Sequence, residues 1–492
     1  MSEREAYLAA RVLDALLRED YGGLAGRVTR TKDGVGLLLA DGRWARLEPG
    51  LLFQDFVVAA DERLGLEQVL ETLVEVADPA DSEGVAAFFE ECLAALSGLE
   101  LMDAHAAEVL RGGPSYETLA ALADHPVYPT SRARVGLSEE ELLAYAPEFG
   151  PRFLLRWAVA PRGALVPGSA ASLPADLMPP GIRHEGVLFP VHPLAVEHVS
   201  KIDGVRVLDE RALEVRPTLS MRTVEVDPRT HLKLPLPIST LGLRNRRSIK
   251  PGSLADGARA ETLLRRLAGP DVLLADEQTY AATGDEHLAW MVRRLPEGTI
   301  VPVAALTAPG VDLRHLVPAY LRLLLRWNVE LFVRHGVALE AHQQNLALVL
   351  RGEEMKLLVK DNDGLLASPA RLRAAGIEVP EFADERMLTD DPHALADVFV
   401  TITLHLSAAA VAFGTLPPAR AAALLRDSLA EALDEHGDHP MARLLRARTL
   451  DAARLTGKSM VTAGTLAPKW RTGARDVNKH YGTSGPNYLR RA

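Results

Sequence analysis

Between Arg216 and Lys250 the chain carries eight Lys or Arg residues, at 216, 222, 229, 233, 244, 246, 247 and 250, against two acids, Glu225 and Asp227. That segment is net +6 inside a protein whose formal charge is −11. A charge run is most often a solvated face. Here Ser220-Met221-Arg222-Thr223 sets a guanidinium between hydroxyls, and Lys233, Thr240 and Arg244 repeat the combination. On an extended strand Ser220 and Arg222 would project to the same side, as a triphosphate cradle requires. The segment predicts a site for a nucleotide or another multiply charged anion.

A second cluster, Glu340-Ala341-His342-Gln343-Gln344-Asn345, opens an apolar run, 346–350. That run and 355–360 form a predicted hairpin turning at 351–354, whose far strand ends in Lys360-Asp361-Asn362-Asp363-Gly364. If the segment is extended, Glu340, His342 and Gln344 share one face. A lone histidine there would read as structural, but four polar residues opening an apolar strand are harder to dismiss. Acid and amide oxygens joined by Asp361 suit Mg²⁺, a hard cation that takes few protein oxygens and completes its shell with phosphate and water. Together the clusters read as the phosphate and metal halves of one ATP site.

Common nucleotide and hydrolase motifs do not explain these residues. The nearest Walker-type run, 452–459, has Ala452 where its first glycine belongs. The position two after His342 holds Gln344 where a kinase catalytic loop needs Asp. Neither Gly-x-Ser-x-Gly nor His-Glu-x-x-His occurs. The acidic patch 434–439 follows a predicted helix and reads as a solvated turn.

The elements that must position the clusters are mixed. Residues 3–20 place Leu8, Val12, Leu13, Leu16 and Leu17 on one helical stripe, and 83–111 do the same with Phe88, Cys92, Leu93, Leu96 and Leu99, after a strand-like stretch at 36–47. From about 154 short apolar runs broken by Pro and Gly, at 153–159, 186–191 and 232–238, read as strands, with 166–181 as an exposed loop. Helices are predicted again from 391 to 455. This order predicts an α+β fold rather than regular βαβ winding, with a boundary near 140–150.

Composition bounds the function. The 492 residues, 48% apolar and 25% charged, predict two or three units with ample core. The acidic balance argues against a protein-wide nucleic-acid footprint. One cysteine, Cys92, excludes intramolecular disulfides and cysteine-based zinc sites; on an apolar stripe it reads as a core residue. A secretory leader is not predicted, the apolar stretch 316–333 carries Arg322, Arg326 and Glu330 and reads as a buried helix rather than a membrane span, and a cytoplasmic location is expected.

Several ordered motifs resemble the siderophore synthetases that act independently of nonribosomal peptide synthetases, the aerobactin-synthetase-like (IucA/IucC) family. His125-Pro126-Val127-Tyr128-Pro129-Thr130-Ser131-Arg132-Ala133-Arg134-Val135-Gly136 is similar to the family's HPxHPxxKxRxG element, and Tyr145-Ala146-Pro147-Glu148-Phe149 to its YxPEF. His192-Pro193, the two clusters above, Lys458 and Pro486-Asn487-Tyr488-Leu489 follow in family order. Tyr128 stands where the second histidine is usual, Arg132 where a lysine is, and Lys360 where an arginine precedes Asp361.

The resemblance implies a cupped hand of thumb (1–145), fingers (146–305) and palm (306–492). It implies ATP- and Mg²⁺-dependent adenylation of a carboxylic acid, such as citrate, and condensation with an amine or hydroxylamine, in siderophore biosynthesis by a homodimer. Membrane and nucleic-acid partners are not expected. By resemblance Ser220, Arg222, Thr223, Lys233 and Thr240 grip the phosphates, while Arg244 and His342 act at the α-phosphate and the attacking carboxylate. Gln344, Asn345 and Asp361, with Glu340, place Mg²⁺ and phosphate, and His125, Arg132, Arg134 and Lys458 complete the substrate pocket. A kinase-like phosphotransferase and a catalytically degenerate, ligand-binding paralogue are the competing readings.

Overall fold

The computed structural model describes residues 1–32, 34–182, 184–473 and 480–490. Its first helix, Glu3–Arg18, starts where Ser2 Oγ accepts a hydrogen bond from the Glu5 N–H at 3.1 Å, with Glu3 and Glu5 favourably placed at the positive end of the helix dipole. Its stripe Leu8, Val12, Leu13, Leu16 is buried against the 30-residue helix Ser82–Arg111 and a four-stranded antiparallel meander, Thr29–Thr31, Gly34–Leu38, Trp44–Pro49 and Phe56–Val58. The strand-like stretch at 36–47 is thus two paired strands. Cys92 is fully buried in this core, as its position predicts.

A seven-stranded antiparallel sheet follows, ordered Asp276–Ala282, Ala289–Arg294, Thr230–Lys233, Thr223–Asp227, Arg206–Pro217, Phe153–Ala160, Val187–Val191. Trp157, Phe189, Leu232 and Trp290 fill its core. Two expectations fail here. The strand predicted at 232–238 ends at Lys233, because Pro235 and Pro237 cannot donate to a ladder. Ser220 to Arg222 is a turn between strands, with Met221 at φ +61°, so its side chains converge through the turn and not by strand alternation.

The hairpin forms as predicted. Leu346–Arg351 pairs with Glu354–Val359 through the two residues Gly352 and Glu353, the left-handed Gly352 (φ +60°) suiting a tight hairpin turn. Thr299–Pro302 pairs antiparallel on one side and Val272–Leu274 parallel on the other. Helices Val317–Glu330, Pro418–Asp434 and Pro440–Arg448 pack around it with Tyr320, Phe332, Leu425 and Tyr488 in the core. The helical run Pro392–Thr415 is long and apolar enough to cross a membrane, but 89% of its most apolar window is buried in the fold. Leu455, expected at the end of the helices, lies in the strand Arg454–Gly457, paired with Thr483–Pro486. The result is α+β, as predicted. Near the C-terminus Tyr488 Oη lies 2.9 Å from His405 Nδ1, and Asn487 Nδ2 donates to the Thr449 and Ala452 carbonyls, so this motif anchors the chain end.

Candidate active site

One cavity of about 310 Å³ collects most of the chemistry-bearing residues. Of the residues singled out in the sequence, His125, Arg132, Arg134, Ser220, Arg222, Thr223, Thr240, Glu340, His342, Gln344, Asn345, Asp361 and Lys458 line it. Lys233 and Arg244 do not.

The basic wall is built by the turn after strand Arg206–Pro217. Ser220 Oγ accepts from the Thr223 N–H at 3.0 Å, closing the turn, and Arg222 Nη1 donates to the Ser248 carbonyl at 2.7 Å. Arg247, half-buried near Arg222 and Arg134, donates to Thr240 Oγ1; desolvation and the two neighbouring cations push its pKa down to about 9. Arg134 donates to the Ser131 and Ala133 carbonyls, 2.9 and 3.0 Å away. Among the described residues none of these three guanidiniums forms an ion pair with a carboxylate, so each keeps charge to offer an anion.

Arg244 and Lys233 lie outside the cavity lining and make other contacts. Arg244 Nη1 donates to the Thr465 carbonyl at 2.7 Å and the Ala463 carbonyl at 3.4 Å, clamping its loop to the 462–466 segment. Lys233, 2% exposed, donates to Asp361 Oδ1 at 2.5 Å and Asp363 Oδ2 at 3.5 Å, behind the cavity lining. Arg247 is the cation that sequence reasoning passed over. It belongs to the basic run, but its neighbour Arg246 has the same local signal and instead pairs with Glu286 on the surface.

On the opposite wall, Glu340 to Asn345 is a loop and turn rather than extended strand, with the Asn345 N–H donating to the His342 carbonyl at 2.9 Å. His342 is half-buried, and desolvation followed by Lys458 lowers its pKa to about 4, so the ring is neutral near pH 7. Asn345 Nδ2 donates to the Glu340 carbonyl at 3.1 Å. A Cβ on Gly364 would meet Glu340 Oε2 at 2.0 Å, so glycine is needed there for the acid to pack against the backbone. Asp361 sits at φ +63°, in the left-handed region that Asp tolerates better than most residues. Burial opposes its charge, but Lys233, Arg293 and Arg222 hold it far below the usual carboxylate range. Lys360, in the arginine position, pairs with buried Glu117 at 3.2 Å.

The third wall is the loop starting at His125. Arg11 Nη2 donates to the carbonyls of His125 and Tyr128 (2.6 and 3.0 Å), and Arg18 Nη2 to that of Val127 at 2.8 Å, so the first helix fixes this loop. His125 Nδ1 accepts from the Tyr128 N–H at 2.9 Å, leaving Nε2 to carry the proton of the neutral ring. Arg132 lines the cavity but is paired with Asp124 at 2.7 Å. Tyr128, at the usual histidine position, donates to buried Glu91 at 2.7 Å. His192, from the later His-Pro, lies against Tyr145 and Phe153 outside the cavity lining.

Residues 115–308, which contribute much of two of these walls, match the model described as the IucA / IucC family. Over these residues the chain is similar to that family. Residues 315–475 also match a model described as ferric iron reductase FhuF-like transporter. Among curated relatives, an uncharacterized protein y4xN of Sinorhizobium fredii is 28% identical over 51% of each chain. The staphyloferrin B synthase of Staphylococcus aureus is 24% identical over 54% of this chain and 56% of its own. The chain thus spans about half the length of the curated relatives it matches. The fold is that of the petrobactin biosynthesis protein AsbB of Bacillus anthracis, with TM-score 0.75 at 18% identity over 100% of this chain and 96% of that one. It is equally that of the ATP-bound aerobactin synthetase IucA of Klebsiella pneumoniae, with TM-score 0.70 at 18% identity over 98% and 99%.

Proposed function

We propose that this chain is a member of the IucA/IucC family and an ATP-dependent carboxylate–amine ligase of siderophore biosynthesis. The observation that carries the reading is the meeting of three guanidiniums without a carboxylate partner among the described residues, Arg134, Arg222 and Arg247, with His342, Gln344 and Asn345 around one cavity. A carboxylate oxygen attacks the α-phosphorus of ATP, pyrophosphate leaves, and an amine nitrogen then attacks the acyl carbon and expels AMP. The first step brings two anions together, so fixed cations in a site of low dielectric supply most of the help. No covalent enzyme nucleophile is needed; Cys92 is in a separate core.

Within this reading Ser220, Arg222 and Thr223 hold the outer phosphates, with Thr240 steadying Arg247. Arg247 and neutral His342 face the α-phosphate and the attacking carboxylate, and His125, Arg134 and Lys458 bind the remainder of the acid. The donor set fits Mg²⁺: Glu340, Gln344, Asn345 and Asp361 offer hard oxygens from one cavity wall, and few protein ligands suffice for an ion that also binds phosphate. When bound, it would neutralise phosphate charge; Glu340, Gln344 and Asp361 would hold it.

The test is pyrophosphate release from ATP with a panel of carboxylic acids crossed with diamines and hydroxylamines, products read by mass spectrometry. Acid-dependent AMP and pyrophosphate support the ligase. ADP would instead mark a phosphotransferase, and acid binding without turnover a degenerate paralogue.

A further inference from the structure

Deepening that reading and resting on it, we propose that Glu148 receives the amine nucleophile and takes its proton. Glu148 lies in the turn Pro147–Phe149, lines the cavity, and is 3% exposed. Neither of its carboxylate oxygens accepts a hydrogen bond from a described residue, and Oε2 is wholly enclosed. Burying a carboxylate without a partner is costly, and such orphans are rare in folded proteins. Most of the other cavity carboxylates are already committed. Glu117 pairs with Lys360, Asp124 with Arg132, and Asp361 and Asp363 with Lys233. Arg134 is near enough for Glu148 to favour its charge, yet the two form no ion pair, and the buried Arg134 Nε has no partner among the described residues.

The chemistry asks for such a group. A primary amine, like a lysine side chain with pKa about 10.4, arrives as ammonium and cannot attack until it loses a proton. The many arginines and lysines of this cavity repel that ammonium, whereas an uncommitted carboxylate attracts it. One N–H proton passes to the Glu148 carboxylate, freeing the nitrogen lone pair. The nitrogen bonds the acyl carbon, the carbon–oxygen bond to AMP breaks with its electron pair on the phosphate, and the second proton is released to solvent.

The experiment compares wild type and Glu148→Gln, using whichever of citrate, succinate and 2-oxoglutarate supports pyrophosphate release, with 1,3-diaminopropane or hydroxylamine as nucleophile. Hydroxylamine is a weaker base, already neutral near pH 7, and needs no such proton acceptor. Glu148→Gln should keep single-turnover pyrophosphate release, which also certifies its fold. It should lose about 10²-fold or more in amide formation with the diamine, keep hydroxamate formation within a few-fold, and recover with the diamine as pH approaches the amine pKa. Equal losses with both nucleophiles, no loss with either, or a matching loss of pyrophosphate release would overturn the role of Glu148 alone. Absence of pyrophosphate release by wild type with all three acids would instead overturn the ligase reading, and this inference with it.

Discussion

Lys233 Nζ lies 2.5 Å from Asp361 Oδ1, joining a strand of the large sheet to the residues that follow the hairpin. Asp361 N–H in turn donates to Glu277 at 3.0 Å, and Glu277 accepts from Arg293 Nε at 2.5 Å, so buried Lys233, Glu277 and Arg293 together with half-buried Asp361 hold the end of the hairpin against the large sheet. The basic and acidic clusters meet through this pair, with the cavity beside it.

Lys233→Met should leave Asp363 without its ion-pair partner and Asp361 with the more distant Arg293, 3.7 Å away, and destabilise the protein by about 3–5 kcal/mol, the usual cost of removing one partner of a buried pair. Chemical denaturation would show it, and Lys233→Met/Asp361→Asn should regain part of the loss. An unchanged denaturation midpoint with weakened ATP binding would return Lys233 to the phosphates.

Arg247→Ala should slow acid-dependent pyrophosphate release by about 10²–10³, the typical effect of losing one charge-assisted donor to a transition-state anion. Thermal stability should stay near wild type. Arg244→Ala should do the reverse, stranding the carbonyls of Ala463 and Thr465 and costing about 1–3 kcal/mol in stability with a modest effect on rate. Kinetics and melting curves on the two variants separate these roles.

Acid should weaken the fold through His342. Its folded pKa of about 4 lies below the unfolded value near 6.5, so between those limits the unfolded state binds more protons. Its contribution is fully present above about pH 6.5, shrinks as pH falls, and has been lost below about pH 4, a change of about 3 kcal/mol. His192, His231 and His405, with pKa values pushed down to about 3 chiefly by burial, act in the same direction. Urea midpoints at pH 5 and 7.5 should differ less in His342→Gln than in wild type.

Tyr128→Phe should cost about 1–3 kcal/mol by removing a donor to buried Glu91, which keeps bonds from Thr130 and Thr465. Tyr128 lines no part of the cavity, so ATP affinity of the folded variant, measured by calorimetry with Mg²⁺, should change little.

Local pattern in the chain was enough for the first two long helices, the hairpin at 346–359, the α+β class and the burial of Cys92, because periodicity and turn chemistry act over a few residues. It also named thirteen residues that line one cavity. What it could not decide was orientation. Ser220 and Arg222 were read on a strand and stand in a turn; Glu340 to Asn345 were read as extended and form a loop. Arg244, Arg246 and Arg247 are equivalent as letters, yet one meets carbonyls of the 462–466 segment, one a surface glutamate, and one enters the cavity. Likewise Lys233 found Asp361, 128 positions away, and Glu148 Oε2 found no partner among the described residues. Charge and chemical type belong to the residue; whether that charge is neutralised or left to act on a ligand depends on contacts between segments far apart in the chain, which only the packed fold supplies.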